Sequence, residues 1–181
     1  MTTMTSELVP TGTWQLDPVH SSIGFEVGYM AGTFRGQFRE VGATLVSGET
    51  GVQLTGAAGV ASVDVKDENL AAHLQSPEFF DAERYPELRF ASTQVERAGD
   101  EITAGGEITI KGITRPIELT GTIAEPIADP YGRRRFGLTV SGTVDRTAFG
   151  LEWNLPLPSG EPALANDVQL VAELYFVEQD A

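Results

Sequence analysis

Gly106-Glu107-Ile108-Thr109-Ile110-Lys111-Gly112-Ile113-Thr114-Arg115-Pro116-Ile117-Glu118-Leu119-Thr120-Gly121-Thr122-Ile123 alternates apolar and polar residues on either side of a two-residue interruption. Ile108 and Ile110 alternate with Glu107 and Thr109, and Lys111-Gly112 reads as a turn. Ile117, Leu119, Gly121 and Ile123 then share one face, against Glu118, Thr120 and Thr122. Successive side chains of a strand point to opposite faces, so this pattern predicts a β-hairpin with one dry side and one wet side.

The same period of two recurs on both sides of this hairpin. Ile23, Phe25, Val27 and Tyr29 fall together in Ser21–Tyr29, and Phe136, Leu138, Val140, Gly142 and Val144 fall together further on. Val168–Val177 is apolar on both faces, with Leu170, Ala172, Leu174 and Phe176 opposite Val171, Tyr175 and Val177, which predicts a strand covered on both sides. Further strands are predicted at Gly12–Leu16, Thr33–Arg39, Ala43–Val46, Val52–Thr55, Ala57–Asp64 and Leu88–Glu96, about eight to ten in all. Antiparallel strands in this number curl into a sandwich or close into a barrel, because closure removes exposed edges. The fold class is therefore all-β.

One segment departs from the pattern, a helical insert spanning about residues 67–82. Leu70 and Leu74 have helical spacing within Asp67–Gln75. Ser76-Pro77-Glu78 then supplies a cap, a first-turn proline and a first-turn acid for a second short helix carrying Phe79 and Phe80. Leu155–Asp167, with three prolines, is predicted to be a long loop. Residues 1–11 read as a flexible leader, residues 12–178 as a single domain, and the polar Glu178–Ala181 as a fraying tail. The first residues have neither a basic start nor an apolar run, and no window resembles a membrane-spanning helix, so a cytoplasmic protein is expected.

Composition restricts the chemistry. The 181 residues hold 12 Lys plus Arg against 26 Asp plus Glu, a formal charge of −14 that repels phosphate and argues against nucleic acid as a partner. With no cysteine and only His20 and His73, thiol nucleophiles, Cys-bound zinc and most His-based sites are removed. Asp17-Pro18-Val19-His20-Ser21 contains the residue types of a hydrolase triad, but adjacent strand residues point to alternate faces, and a local hydrogen bond for His20 is the simpler reading. His73 has Asn69 and Leu70 one turn before it, neither of which would help bind a metal, so it is expected to be structural or to line a cavity mouth. Arg133-Arg134-Arg135 is either a solvated hairpin end paired with acids or a contact for an anionic head group. Gly24, Gly28, Gly32, Gly36, Gly42, Gly121, Gly137 and Gly142 interrupt strand patterns, as glycines do at bends and close approaches. From periodicity alone, the phenylalanines fill the core of a small barrel, the alternative being that they line a ligand space.

Seven motifs in order bear a family resemblance. They are Trp14-x-x-Asp17-Pro18-x-His20-Ser21, Gly32-Thr33-Phe34-x-Gly36-x-Phe38, His73-Leu74-x-Ser76-Pro77-Glu78-Phe79-Phe80-Asp81 and Tyr85-Pro86-x-x-x-Phe90. Gly106-x-Ile108-Thr109-Ile110-Lys111-Gly112-x-Thr114-Arg115-Pro116, Asp145-Arg146-x-x-Phe149-Gly150-Leu151 and Asn166-Asp167-Val168 complete the set. Over about residues 12–177 the chain resembles the YceI-like family of polyisoprenoid-binding proteins. One departure is Leu70-Ala71, where the family commonly has Arg-Asp. The resemblance implies a lipocalin-like, extended antiparallel β-barrel with a short helical insert, and often a homodimer. It also implies an apolar tunnel for an isoprenoid or other long apolar lipid, such as a polyprenyl chain or a quinone. No cofactor, metal or catalytic residue is required for that role. The expected lining is Phe25, Val27, Phe34, Phe38, His73, Leu74, Phe79, Phe80, Phe90, Ile108, Ile110, Ile117, Leu119, Phe136, Leu138, Val140, Phe149, Leu174 and Phe176. Two other roles are weighed against carriage or storage of a lipid. One is an enzyme acting on an apolar substrate with His20 or His73 as acid/base. The other is an interaction module with a filled barrel.

Overall fold

The computed structural model describes residues 9–179. Its elements are β1 (Gly12–Leu16), β2 (Ser22–Tyr29), β3 (Gly32–Phe38), β4 (Val41–Gly48), β5 (Gly51–Gly59), β6 (Val63–Asp64), α1 (Glu68–Gln75), β7 (Glu87–Ala98), β8 (Glu101–Ile110), β9 (Ile113–Ile123), β10 (Ile127–Ala128), β11 (Arg134–Asp145) and β12 (Leu164–Glu178). The opening hairpin is β8–β9, with Thr109 opposite Thr114 and Ile110 opposite Ile113. Lys111 and Gly112 both take positive φ, 52° and 75°, the primed turn that matches the twist of the flanking strands.

The ring runs β11-β9-β8-β7-β5-β4-β1-β12 and closes through antiparallel pairing of β12 with β11. On its other edge β12 has two partners in succession. Phe176 faces Leu16 of β1, whereas Glu173 faces Ser22 and Val168 faces Val27 of β2. Tyr175 bridges the break: its carbonyl accepts from Asp17 N at 2.7 Å and its N–H donates to Ser21 Oγ at 2.9 Å. β3 and β6 extend the wall beyond β2, so the barrel is longer than its closed ring.

Inward residues form two clusters at opposite ends. At one end Trp14, Leu45, Leu138 and Phe176 are at most 1% exposed. The Phe136 ring stacks on Phe176 at 5.3 Å and meets Trp14 edge-on at 4.7 Å. At the other end Phe25, Phe38, Leu74, Phe79 and Phe149 pack beneath α1 and the turns that follow it. Glycines allow the strands to approach closely. A Cβ on Gly121 would lie 1.7 Å from the Thr139 carbonyl of β11, and one on Gly36 would lie 2.6 Å from the Phe25 ring.

Several expectations need correction. α1 is a single short helix whose N-cap is Asp67 and whose C-cap is Ser76, so Ser76 ends a helix instead of starting one. Phe79 and Phe80 lie in turns, because their N–H groups bond back to the carbonyls of Ser76 and Leu74 and thereby satisfy the helix end. Residues 52–59 form one strand, β5, instead of two, and a 3-10 turn at Val60–Ser62 separates it from β6. β12 starts at Leu164, shortening the expected loop. The outer face of β12 is not covered, since the wall is one layer thick and Tyr175 is 48% exposed. Within the expected leader, Val9 is buried and its carbonyl accepts from Ser47 Oγ at 3.0 Å, so residues 9–11 pack on the barrel. Residues 1–8 and 180–181 lie outside the described residues, and Glu178 belongs to β12. Among the described residues no helix is long and apolar enough to cross a membrane.

Candidate functional site

The helix end of the barrel is not filled. A cavity of about 210 Å³ lies between β2, β3, β12, α1 and the segment after β11. Phe25 and Val27 reach it from β2, and Phe34 and Phe38 from β3, as period two requires. Leu70, His73 and Leu74 share one face of α1 and close it from above, with Phe79 and Phe80 beside them. A second cavity of about 100 Å³ lies deeper, lined by Phe90, Ile108, Leu119, Val140 and Leu174 among others. Phe38, Leu88 and Leu170 belong to the walls of both.

Of the expected lining residues, Phe25, Val27, Phe34, Phe38, His73, Leu74, Phe79, Phe80, Ile110 and Phe149 line the first cavity. Phe38, Phe90, Ile108, Leu119, Val140 and Leu174 line the second. Ile117 is buried in the helix-end cluster on neither wall. Phe136, Leu138 and Phe176 pack with Trp14 and Leu45 in the opposite cluster and line neither of these two cavities. The periodicity that put these residues indoors is blind to which end of the barrel a tryptophan fills.

Polar groups on the first cavity are few. His73 Nε2 lies 2.6 Å from Glu78 Oε2, and its ring meets Phe79 and Trp153 edge-on at 4.9 and 5.0 Å. Tyr29 lies on the wall and is 39% exposed, which marks the mouth. Arg146 is buried, with burial pulling its guanidinium below the usual arginine range. Its Nε donates to Ala165 O (2.8 Å), its Nη1 to Leu151 O (2.6 Å) and Trp153 O (2.9 Å), and its Nη2 to Leu164 O (3.3 Å) and Asn166 Oδ1 (3.5 Å). All five guanidinium protons are thus directed at acceptors of the 151–166 segment. Asn154 adds bonds to Leu164 N and O at 2.9 and 2.7 Å. Together they pin Leu151, Trp153 and Leu164 as part of the cavity wall. Leu170 was legible from the alternation it shares with Leu174. Trp153 and Arg146 were not, because neither sits in a periodic strand.

His20 stands elsewhere. It is exposed on the link between β1 and β2, with Nδ1 2.6 Å from Asp17 Oδ2, and it lines neither cavity. That bond, with Val19 N–H and Arg135 as further donors, holds the Asp17 carboxyl below the usual carboxylate range. Arg135 also bonds Asp129 at 2.7 Å, and Arg134 grips Glu178 with two bonds of 2.9 and 2.8 Å over the Trp14 ring. Arg134 and Arg135 are therefore engaged by the chain's own carboxylates at the packed end. Among the described residues no group of three or more His, Cys, Asp or Glu could hold a metal ion.

Comparison with known proteins adds three findings. The family described as YceI-like domain matches residues 14–176. A UPF0312 protein of Photorhabdus laumondii is 32% identical over 114 residues, and Protein YceI of Escherichia coli O157:H7 is 31% identical over 112 residues. These matches take in 63% and 62% of this chain and 59% of each relative's length. Among solved structures, Burkholderia cenocepacia BcnA superposes with a TM-score of 0.73 at 22% identity, covering 88% of this chain and 98% of that one. A polyisoprenoid-binding domain from Saccharophagus degradans superposes with a TM-score of 0.68 at 11% identity, covering 92% and 98%. At such identities the likeness is one of fold.

Proposed function

Since the chain belongs to the YceI-like domain family, we propose that its barrel binds an isoprenoid-type lipid, a polyprenyl chain or quinone, and carries or stores it without altering it. The observation that carries this reading is the unfilled, aromatic-lined cavity under α1, in a barrel whose other end is packed around Trp14, Phe136 and Phe176. The apolar chain would lie against Phe25, Phe34, Phe38 and Phe80. The polar head would face His73, Glu78 and Tyr29 at the mouth. The polyisoprenoid-binding domain from Saccharophagus degradans supports this class of ligand by analogy of fold. Burying apolar surface is worth roughly 25 cal/mol per Å², so a lipid needs no charged anchor to be held.

Native mass spectrometry of protein purified from its own host is expected to show a co-purified lipid mass. A clean apo mass, with no uptake of any prenyl lipid, would overturn the reading. The bond between His73 on the cavity wall and the exposed Glu78 favours a second reading, acid/base chemistry on an apolar substrate. Lipid recovered unaltered after long incubation counts against it, and turnover lost in His73→Ala counts for it.

A further inference from the structure

The two cavities lie in series, and their separation has a consequence for what fits. They share only three wall residues, Phe38, Leu88 and Leu170. Phe38 is 4% exposed and is held from two sides, its ring centroid 5.9 Å from Phe25 and 6.0 Å from Phe80. Moving that ring gives up both aromatic contacts. Beyond the second cavity stand Trp14, Phe136 and Phe176, whose rings pack on one another.

We infer that Phe38 is a gate that sets the length of apolar chain the protein accepts. This rests on the lipid-binding reading and adds a specificity determinant to it. A chain entering past His73 fills the upper cavity and stops against Phe38. The lower cavity, walled by Ala172 among others, is unused reserve. Each methylene that finds room in the upper cavity adds about fourfold in affinity, and each one beyond it adds nothing.

A homologous series of straight-chain primary alcohols tests this, with binding read by competitive native mass spectrometry. For the wild type, affinity is expected to climb about fourfold per methylene and then level off. In Phe38→Ala the climb should continue to longer chains, so that the plateau moves to a greater chain length. Ala172→Leu, which fills the lower cavity, should not move the wild-type plateau but should cancel the gain in Phe38→Ala. Phe38→Leu keeps more of the core and serves if the alanine variant does not fold. An unchanged plateau in the folded Phe38 variant would overturn the gate while leaving lipid binding intact. If the wild type binds no member of the series, and no prenyl alcohol offered in the same assay, the lipid-binding reading itself fails.

Discussion

Arg146 is the residue on which the Leu151, Trp153 and Leu164 side of the cavity wall depends. A buried guanidinium is tolerable because every proton it carries meets an acceptor of the segment from Leu151 to Asn166. Arg146→Met would fill much of the same volume but strand the carbonyls of Leu151, Trp153 and Ala165, while Leu164 O keeps its bond from Asn154. A loss of about 3 kcal/mol in urea denaturation is expected. Arg146→Lys should recover less than half of it, since an ammonium cannot span acceptors on both sides of a planar fork. The cost should also appear as a looser wall, with weaker lipid retention than in a surface variant of equal stability.

Among the elements, α1 has the least support of its own. Eight residues are too few for a helix to persist in water without help. Help comes from Asp67, whose Oδ1 accepts from Asn69 N (2.8 Å) and Leu70 N (3.1 Å), and from Leu74 buried beneath. Asp67→Ala is expected to cost about 1 kcal/mol, seen as faster hydrogen exchange in residues 68–75 while β8 and β9 keep their protection. This element also shows what the sequence could and could not tell. Leu70 and Leu74 announced the helix, as alternation announced the strands, because both signals are local periodicities. Ser76-Pro77-Glu78 carries the chemistry of a helix start, yet the carbonyls of Leu74, Gln75 and Ser76 needed partners and drew the next residues back into turns. Likewise, alternation placed Phe34 and Phe176 alike indoors. Only the position of Trp14 decides that one borders a cavity and the other a packed plug.

At the scale of the whole molecule the −14 charge surrounds an apolar interior, and several of its carboxylates are tied down. Asp17 is held low by His20, then by Val19 N–H and Arg135; Asp129 is held low chiefly by Arg135, and Glu178 by Arg134. A carboxyl whose folded pKa is depressed contributes stability that is fully present above its unfolded pKa. That stability is lost as pH falls through the folded pKa. Unfolding free energy is therefore expected to decline as the pH drops below about 4. Arg135→Met should flatten that acid limb, because Asp17 and Asp129 then titrate closer to their unfolded values. Equilibrium denaturation at a series of acid pH values checks both. A steeper limb in the variant would contradict the assignment.

β12 pairs with β11 along one edge and with both β2 and β1 along the other, and this has a temporal consequence. Leu164–Glu178 is translated after all eleven other strands, so none of the earlier synthesis can shut the wall. Until it arrives, β11 and the β1–β2 edge remain as unpaired templates, far apart in sequence. The last join is thus the longest loop closure in the chain, the kind of step that slows folding and exposes nascent β-proteins to self-association.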